Sequence, residues 1–220
     1  MARRVVVLRP EPGNARTCAA LAERGLTPEP LPLFTVRACP WTAPEPMAFD
    51  ALLLTSANAA RHGGAALAAV AGLPVVAVGA ATAAAARQAG LTVAITGGGD
   101  AAQAVAQAGR FPRLLHLAGR DRIALPGVTA VTVYASEAVA IDPAAAAARA
   151  AGQVVLLHSA RAATRFAALM AGGSRASTRL VAISDPVAAA AGAGWHDVTI
   201  AAHASDPAMI DGAARVAIDP

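Results

Sequence analysis

Small, hydroxyl-bearing or arginine residues stand where short apolar runs of this sequence end. In open parallel sheets, ligands bind beyond the carboxyl ends of the strands, and each of these positions precedes a stretch that reads as a helix. The free N–H groups and positive dipole end of a helix favour anions. The pattern therefore predicts edges that bind carboxylates, unless these residues only cap helices and permit tight turns. The residues concerned are Arg9, Ser56, Gly79, Gly119, Ser159 and Ser184.

Other signals for chemistry are weak. There is no phosphate-binding loop and no dinucleotide fingerprint followed by an acidic residue, so a nucleotide cofactor is not expected. The glycines of 97–100 read as a loop that ends in a helix N-cap. No His or Cys cluster has the spacing of a metal site; Cys18 and Cys39 are expected as free thiols, and His116 and His158 as packed side chains. The sequence thus predicts no metal and no cofactor.

Composition narrows the possible partners. The net charge is +4 and every basic residue is an arginine, but the arginines are scattered, and aromatic residues make up only 3%. This is unlike a nucleic-acid-binding surface, so no nucleic acid is expected. The longest uncharged stretch, 63–86, contains four glycines and Pro74 and reads as turn, strand and turn rather than as a membrane helix. The apolar run before Arg9 is too short for a signal peptide, so we expect a cytoplasmic protein with no membrane association.

Ten short β-branched or leucine-rich runs alternate with alanine-rich helical stretches. Continuous apolar strands that alternate with helices predict parallel sheets covered on both faces. The expected strands are 5–8, 29–33, 51–54, 75–78, 92–95, 114–117, 128–134, 154–157, 180–183 and 198–201.

An internal repeat predicts the domain organisation. The segment 52–60 resembles 155–163, 76–84 resembles 181–189, and 99–101 resembles 205–207, with similar offsets. The last two segments are each expected to hold an N-cap that opens a helix, with Asp100 aligned to Asp206. The second copy lacks first strands of its own, whereas an unused strand–helix–strand precedes the first copy. We therefore expect two open parallel-sheet α/β domains with five strands each, the first of them discontinuous. The expected domains are 1–35 with 139–220, and the inserted 42–133, joined by a two-stranded link of 36–41 and 134–138 in which segments 34–39 and 134–139 run in opposite directions.

Several short motifs, in order along nearly the whole chain, resemble the uroporphyrinogen-III synthase family. They are Val7-Leu8-Arg9-Pro10-Glu11-Pro12-Gly13, Leu52-Leu53-Leu54-Thr55-Ser56-Ala57-Asn58-Ala59, Ala77-Val78-Gly79-Ala80-Ala81-Thr82-Ala83, Leu117-Ala118-Gly119-Arg120-Asp121-Arg122, Val133-Tyr134 and Ala182-Ile183-Ser184. The family fold, two α/β domains joined by a two-stranded link, is the one that the repeat predicts.

The resemblance implies a function. The substrate would be hydroxymethylbilane, a linear tetrapyrrole with eight carboxylates, which the family closes into a ring with loss of water and inversion of the fourth pyrrole ring, ring D. No metal or cofactor takes part. Such an enzyme works mainly by holding one conformer and assisting departure of the hydroxyl. We expect a monomer.

The resemblance also implies roles for residues. Tyr134 matches the link tyrosine of the family and would donate a proton to the leaving hydroxyl. Val187 stands where family members often carry threonine, so that hydroxyl is missing. Arginines near strand ends are candidates for contact with substrate carboxylates. The expected substrate-binding residues are Arg9, Ser56, Asn58, Gly79, Thr82, Gly119, Arg120, Ser159, Arg161 and Ser184.

Two other functions stay open at this point. A cleft between the carboxylate-binding edges of the two domains, without chemistry, would make a cytoplasmic two-domain binding protein for an acidic metabolite, which a turnover assay would distinguish. A nucleotide-using enzyme on the same fold is disfavoured by the missing phosphate loop, and a thermal shift with nucleotides would test it.

Overall fold

The computed structural model describes residues 3–171, 173 and 175–218. The chain divides into two compact units, Met1–Thr35 with Ala138–Pro220 (unit 1) and Val36–Glu137 (unit 2). The residues 1–2 and 219–220 of the expected first domain lie outside the described residues. In the described part of the chain, no helix has the length and apolar character needed to cross a membrane.

Unit 1 is built on a five-stranded sheet in the order β11-β10-β9-β1-β2, with every pair parallel. The N-terminal strand β1 pairs with β9, as Val5 lies opposite Val154. This confirms that the first strand shares a sheet with strands from the far end of the sequence. The strands are β1 (Val5–Val7), β2 (Pro28–Pro30), β9 (Val154–Leu157), β10 (Arg179–Ala182) and β11 (Asp197–Ile200).

Unit 2 is built on a six-stranded sheet in the order β3-β8-β7-β4-β5-β6. Five of these strands run parallel, while Val139 N–H donates to Leu33 O and Cys39 N–H donates to Val133 O, so β3 runs opposite to β8. The strands are β3 (Phe34–Ala38), β4 (Ala51–Leu54), β5 (Val75–Ala77), β6 (Val93–Thr96), β7 (Leu114–Gly119) and β8 (Val128–Ala138).

Helices cover both faces of each sheet because successive strand residues point to opposite sides. In unit 1, Val6 and Val155 face one apolar cluster, whereas Val5 and Val154 face another. This pattern confirms the α/β class with mostly parallel sheets. The helices are α1 (Gly13–Glu23), α2 (Ala57–His62), α3 (Ala80–Gln88), α4 (Ala101–Gln107), α5 (Pro143–Ala150), α6 (Ala160–Leu169), α7 (Asp185–Ala191) and α8 (Asp206–Ile218).

The expected antiparallel pairing of segments 34–39 and 134–139 is confirmed, because β3 pairs with β8. This pairing adds β3 as a sixth strand to the five strands expected within 42–133. The residues 134–138, expected as part of a separate link, are the continuation of β8 and carry its pairing past the end of β7. The ends of β3 and β8 are therefore determined by pairing between the two strands, because neither end lies in a continuous apolar run.

The repeat alignment was wrong by one residue at its last helix. Asp100 caps α4 and accepts a hydrogen bond from Gln103 N–H. In the second copy Ser205 takes that place, because Met209 N–H donates to its carbonyl and Ala208 N–H to its hydroxyl. Asp206 is therefore the first residue of α8, and its carboxylate is available for other partners.

Candidate functional site

The residues predicted to act on substrate lie at the carboxyl edges of the two sheets. On unit 2 these are Ser56, Asn58, Gly79, Thr82, Gly119, Arg120 and Tyr134. On unit 1 they are Arg9, Ser159, Arg161 and Ser184.

Tyr134 packs its ring onto Gly119 at the end of β7. The two residues are register partners, and a Cβ added to Gly119 would lie 2.8 Å from Tyr134 Cζ and 3.0 Å from its hydroxyl oxygen. The absence of a side chain at Gly119 therefore makes room for the phenol. Among the described residues, the Tyr134 hydroxyl has no hydrogen-bond partner, and the residue is partly exposed. The phenol is thus positioned by packing while its O–H stays available.

His62, at the end of α2, also borders the tyrosine. The two ring centroids are 6.5 Å apart at an angle of 36°. Burial, assisted by the charge of Arg61, lowers the pKa of His62, so a neutral imidazole lies beside the phenol at pH 7. His62 was not predicted, because only the fold brings it to β8.

Ser56 opens α2 and joins two of the predicted residues. Its hydroxyl oxygen accepts a hydrogen bond from Asn58 N–H at 3.2 Å. The Ser56 hydroxyl keeps its own proton as a donor. The capping alternative therefore applies to this serine, and its capping leaves one donor for a ligand.

Gly79 and Thr82 line one pocket of about 350 Å³ at the start of α3, together with the glycines of 97–99. A Cβ on Gly79 would lie 3.7 Å from Gly99 Cα, which is an ordinary van der Waals distance. Ala80, Ala81 and Thr82, the first residues of α3, also line this pocket, and the first amides of a helix have no partner within it. Thr82 is only 5% exposed, so its contribution is confined to this pocket.

Arg120 lies next to Gly119, and its side chain is 59% exposed. Its guanidinium is 3.7 Å from a carboxylate oxygen of Glu137 and 3.8 Å from Cys39 Sγ. The backbone N–H of Arg120 donates to the backbone carbonyl oxygen of Tyr134, which continues the pairing of β7 and β8. The arginine is thus held loosely at the same edge as the tyrosine.

His116 is buried in β7, as expected for a packed histidine. Its Nε2 lies 2.8 Å from Oγ1 of Thr55, the residue that precedes Ser56 in the sequence. Burial, and secondarily the charge of Arg122, lower the pKa of His116 to about 4. The imidazole is therefore neutral at pH 7 and supports the end of β4.

On unit 1, Ser159 and Ser184 are the N-caps of α6 and α7. The Ser159 hydroxyl oxygen accepts from Ala162 N–H at 3.2 Å, whereas the structure gives no side-chain cap bond for Ser184. Val187, at the position of the family threonine, is 6% exposed and packs in the apolar core of this unit.

Arg9 is part of an ionic cluster that sequence reasoning did not foresee. Arg9 Nη1 donates to Asp206 Oδ1 at 2.8 Å and to Thr17 Oγ1 at 3.2 Å, and Thr17 in turn donates to Asp206 Oδ2 at 2.9 Å. His158 Nε2 lies 2.9 Å from Asp206 Oδ1, and His158 Nδ1 is buried without a hydrogen-bond partner among the described residues. Arg9 therefore has an acidic partner within its own unit.

The pKa of Asp206 reflects these contacts. Burial would raise it, but the hydrogen bond from His158, the charge of Arg9 and the hydrogen bond from Thr17 outweigh burial and lower the pKa to about 2. The carboxylate is thus ionised at pH 7 and connects the end of β1, α1, the end of β9 and the start of α8. The four residues come from four places along the chain, and the only local signal was the N-cap at 205–206.

Comparison with known proteins decides the family. The family model described as uroporphyrinogen-III synthase HemD matches residues 15–211. The chain belongs to the uroporphyrinogen-III synthase family. Members of this family are cyclising lyases of tetrapyrrole and haem biosynthesis, so the enzymatic interpretation of the sequence is confirmed, and nothing favours a binding protein without catalysis.

Solved structures show the same fold. Uroporphyrinogen-III synthetase from Helicobacter pylori 26695 is 15% identical with a TM-score of 0.68, and the match covers 97% of this chain and 99% of that one. A mutant uroporphyrinogen III synthase from the extremely thermophilic bacterium Thermus thermophilus is 19% identical with a TM-score of 0.54, covering 97% and 98%. A search of curated proteins finds no match.

Proposed function

We propose that this chain closes hydroxymethylbilane to uroporphyrinogen III, with Tyr134 as the hydrogen-bond donor to the departing hydroxyl. The observation that carries this proposal is the position of Tyr134 within β8, packed on Gly119 at the end of β7 with its hydroxyl available, in a chain that belongs to this family.

The reaction needs few catalytic groups. Loss of the terminal hydroxyl as water leaves an electrophilic azafulvene, and the substituted carbon of ring D attacks it to give a spiro intermediate. That intermediate fragments and closes again at the other pyrrole carbon, which inverts the ring. Without assistance the bilane closes without inversion, so the protein must mainly hold one conformer. A phenol stays protonated at neutral pH and can donate to the leaving oxygen.

The carboxylates of the substrate need donors. We assign one carboxylate to the pocket of Gly79 and Thr82, where helix amides and one hydroxyl converge. Ser56, Asn58, Ser159 and Ser184 would offer further donors at the strand ends. Arg120 is the arginine of unit 2 best placed to attract a carboxylate, because it is mostly exposed beside Tyr134.

Arg9 and Arg161 differ from Arg120, because each has a close contact within unit 1. Arg9 is held by Asp206 and Thr17, so we assign it mainly to keeping the end of β1 in place. The Arg161 guanidinium carbon lies 4.4 Å from the centroid of the Phe34 ring. Contact of either arginine with substrate remains a prediction, as do the domain boundaries 1–35 with 139–220 and 42–133.

We also propose a monomer that acts in the cytoplasm without metal or cofactor.

The experiment is incubation with freshly prepared hydroxymethylbilane, followed by oxidation to porphyrins and separation of type I from type III isomers. The proposal predicts mainly type III product in proportion to enzyme, whereas boiled enzyme gives type I. Equal type I product with and without active enzyme would contradict it. A parallel run with a metal chelator should leave the rate unchanged.

A further inference from the structure

A groove of about 660 Å³ lies on unit 1, and of the residues that line it only Arg161 was expected to contact the substrate. One face of α6 forms its floor, with Arg161, Arg165, Ala168 and Leu169 at helical spacing, and Phe34 and Ala138 complete the wall. The opposite face of α6 packs into the core through residues such as Phe166. The groove is therefore an open, mostly apolar surface on a helix that is otherwise well anchored.

Two guanidinium groups give this groove a positive charge. The guanidinium carbons of Arg161 and Arg165 lie 4.4 Å and 5.6 Å from the centroid of the Phe34 ring. No acidic side chain belongs to the described residues that line the groove. Stacking on one ring restricts both side chains, so part of the entropy cost of binding an anion is already met.

Arg165 is also incompletely satisfied. One of its terminal nitrogens donates to Val139 O, while its Nε is buried without a hydrogen-bond partner among the described residues. A buried guanidinium N–H is normally paired. The internal contact therefore uses only part of the donor capacity of this arginine, and an anion in the groove would be drawn to its charge.

We propose that this groove binds an amphipathic anion, a flat or aliphatic body that carries one carboxylate or sulfonate. The volume lies in the usual range for small-molecule sites. The apolar wall suits the body and the arginine pair suits the charged end. An octacarboxylate such as the proposed substrate fits poorly, because several of its charges would face apolar carbon without partners. The groove therefore suits a monoanion better than it suits the proposed substrate.

Its position gives binding a measurable effect on unit 1. Phe34 and Ala138 adjoin the two points, 35–36 and 137–138, where the chain passes between units. A ligand in contact with both would hold these segments against α6. A ligand that binds only the folded unit stabilises it by an amount that grows with the logarithm of the ligand concentration above the dissociation constant.

The experiment titrates the intact protein with 8-anilinonaphthalene-1-sulfonate and with neutral N-phenyl-1-naphthylamine, which has the same aromatic body, followed by fluorescence. The key pair is Ala168→Glu and Ala168→Gln, which differ in charge but hardly in size. Residue 168 is exposed on α6, and both substituents favour helices, so both variants should fold. Arg165→Gln removes one cation, and Arg87→Gln, an exposed arginine of unit 2, is the control.

We expect Arg165→Gln to weaken binding of the sulfonate about three- to tenfold, and Ala168→Glu to weaken it at least as much relative to Ala168→Gln. Binding of the neutral probe should change less than twofold between Ala168→Glu and Ala168→Gln. Equal sulfonate affinity for Ala168→Glu and Ala168→Gln would overturn the proposal, and so would neutral-probe binding as tight as sulfonate binding to the wild type. Because the assay contains no bilane, its result is independent of the proposed reaction.

Discussion

The buried imidazole of His116 should make the stability of unit 2 depend on pH between about 4 and 6.5. The folded pKa is about 4 because burial and the charge of Arg122 disfavour the proton, whereas an unfolded chain titrates near 6.5. Between these values the unfolded state binds more protons. Stability is therefore complete above about pH 6.5 and falls as the pH drops toward 4.

The size of the effect follows from the two pKa values. Relative to pH 7.5, this one histidine should cost about 1.4 kcal/mol at pH 5.5 and about 2.5 kcal/mol at pH 4.5. The lowered pKa of His62 acts in the same direction. The quantity to compare is therefore the difference between wild type and His116→Gln, in which only the His116 contribution is removed.

The assay is urea unfolding from pH 7.5 to 4.5 at constant ionic strength. A Trp195→Phe background leaves Trp41 as the only tryptophan, and Trp41 packs in unit 2 and donates to Gly63 O at 2.7 Å. His116→Gln should be less stable at pH 7.5 but should show a flatter pH dependence. The control, His203→Gln, changes an exposed histidine of unit 1 and should keep the wild-type slope. Equal slopes for wild type and His116→Gln would show that folding does not lower the pKa of His116.

Three other predictions concern the two edges. Asp206→Asn should cost about 2 kcal/mol at pH 7, because the pKa lowered to about 2 contributes stability that is present above about pH 4 and lost as the pH falls through 2; urea unfolding of unit 1 measures it, and an unchanged midpoint would contradict the ionic cluster. Gly119→Ala should lower kcat about tenfold or more and destabilise by about 1–3 kcal/mol, since the added Cβ would lie 2.8 Å from Tyr134 Cζ; wild-type kcat would mean that the packing of the two residues is irrelevant to turnover. The KM for hydroxymethylbilane should rise with ionic strength while kcat changes little, because exposed charges are screened within about 10 Å at 0.1 M salt. A KM that does not change with ionic strength would show that charged groups contribute little to substrate binding.

The buried strands could be predicted from the sequence because parallel strands covered on both faces are continuous apolar runs. The bounds of β4 and β9, Ala51–Leu54 and Val154–Leu157, are those expected. The repeat and the extra N-terminal strands also predicted that β1 shares a sheet with strands from the far end of the sequence, where it pairs with β9. Each of these inferences used a local pattern or a similarity within the chain.

The antiparallel arrangement of segments 34–39 and 134–139 was predicted as a link between domains, but the ends of several strands, and the continuation of this link into the sheet of unit 2, could not be predicted in this way. β7 extends to Gly119 and β8 to Ala138 because each pairs with the other and with neighbouring strands. β3 carries prolines after it and no long apolar run, and only its pairing with β8 makes it a strand of the sheet. Such pairing joins segments about 100 residues apart.

The sequence predicted where candidate site residues lie along the strands and helices, but not which other side chains they contact. Strand ends and N-caps identified Ser56, Gly79 and Ser159. The packing of Tyr134 on Gly119, and the cluster around Asp206, depend on residues distant in sequence, so no spacing reveals them. Arg9 is an example. Its position at a strand end suggested a cation available to substrate, whereas in the fold it forms an ion pair with Asp206.

The most direct test of the account is the turnover of Tyr134→Phe, measured together with its isomer product. General-acid assistance is worth about 10²–10⁴-fold, but geometry carries much of this reaction and water can substitute for the phenol. We therefore expect kcat to fall by about 100-fold or less, with type III still the main product, and Ser56→Ala and Thr82→Ala to cost less. A Tyr134→Phe enzyme with wild-type stability and wild-type kcat would contradict the assignment, because Tyr134 would then be only a packing residue on Gly119.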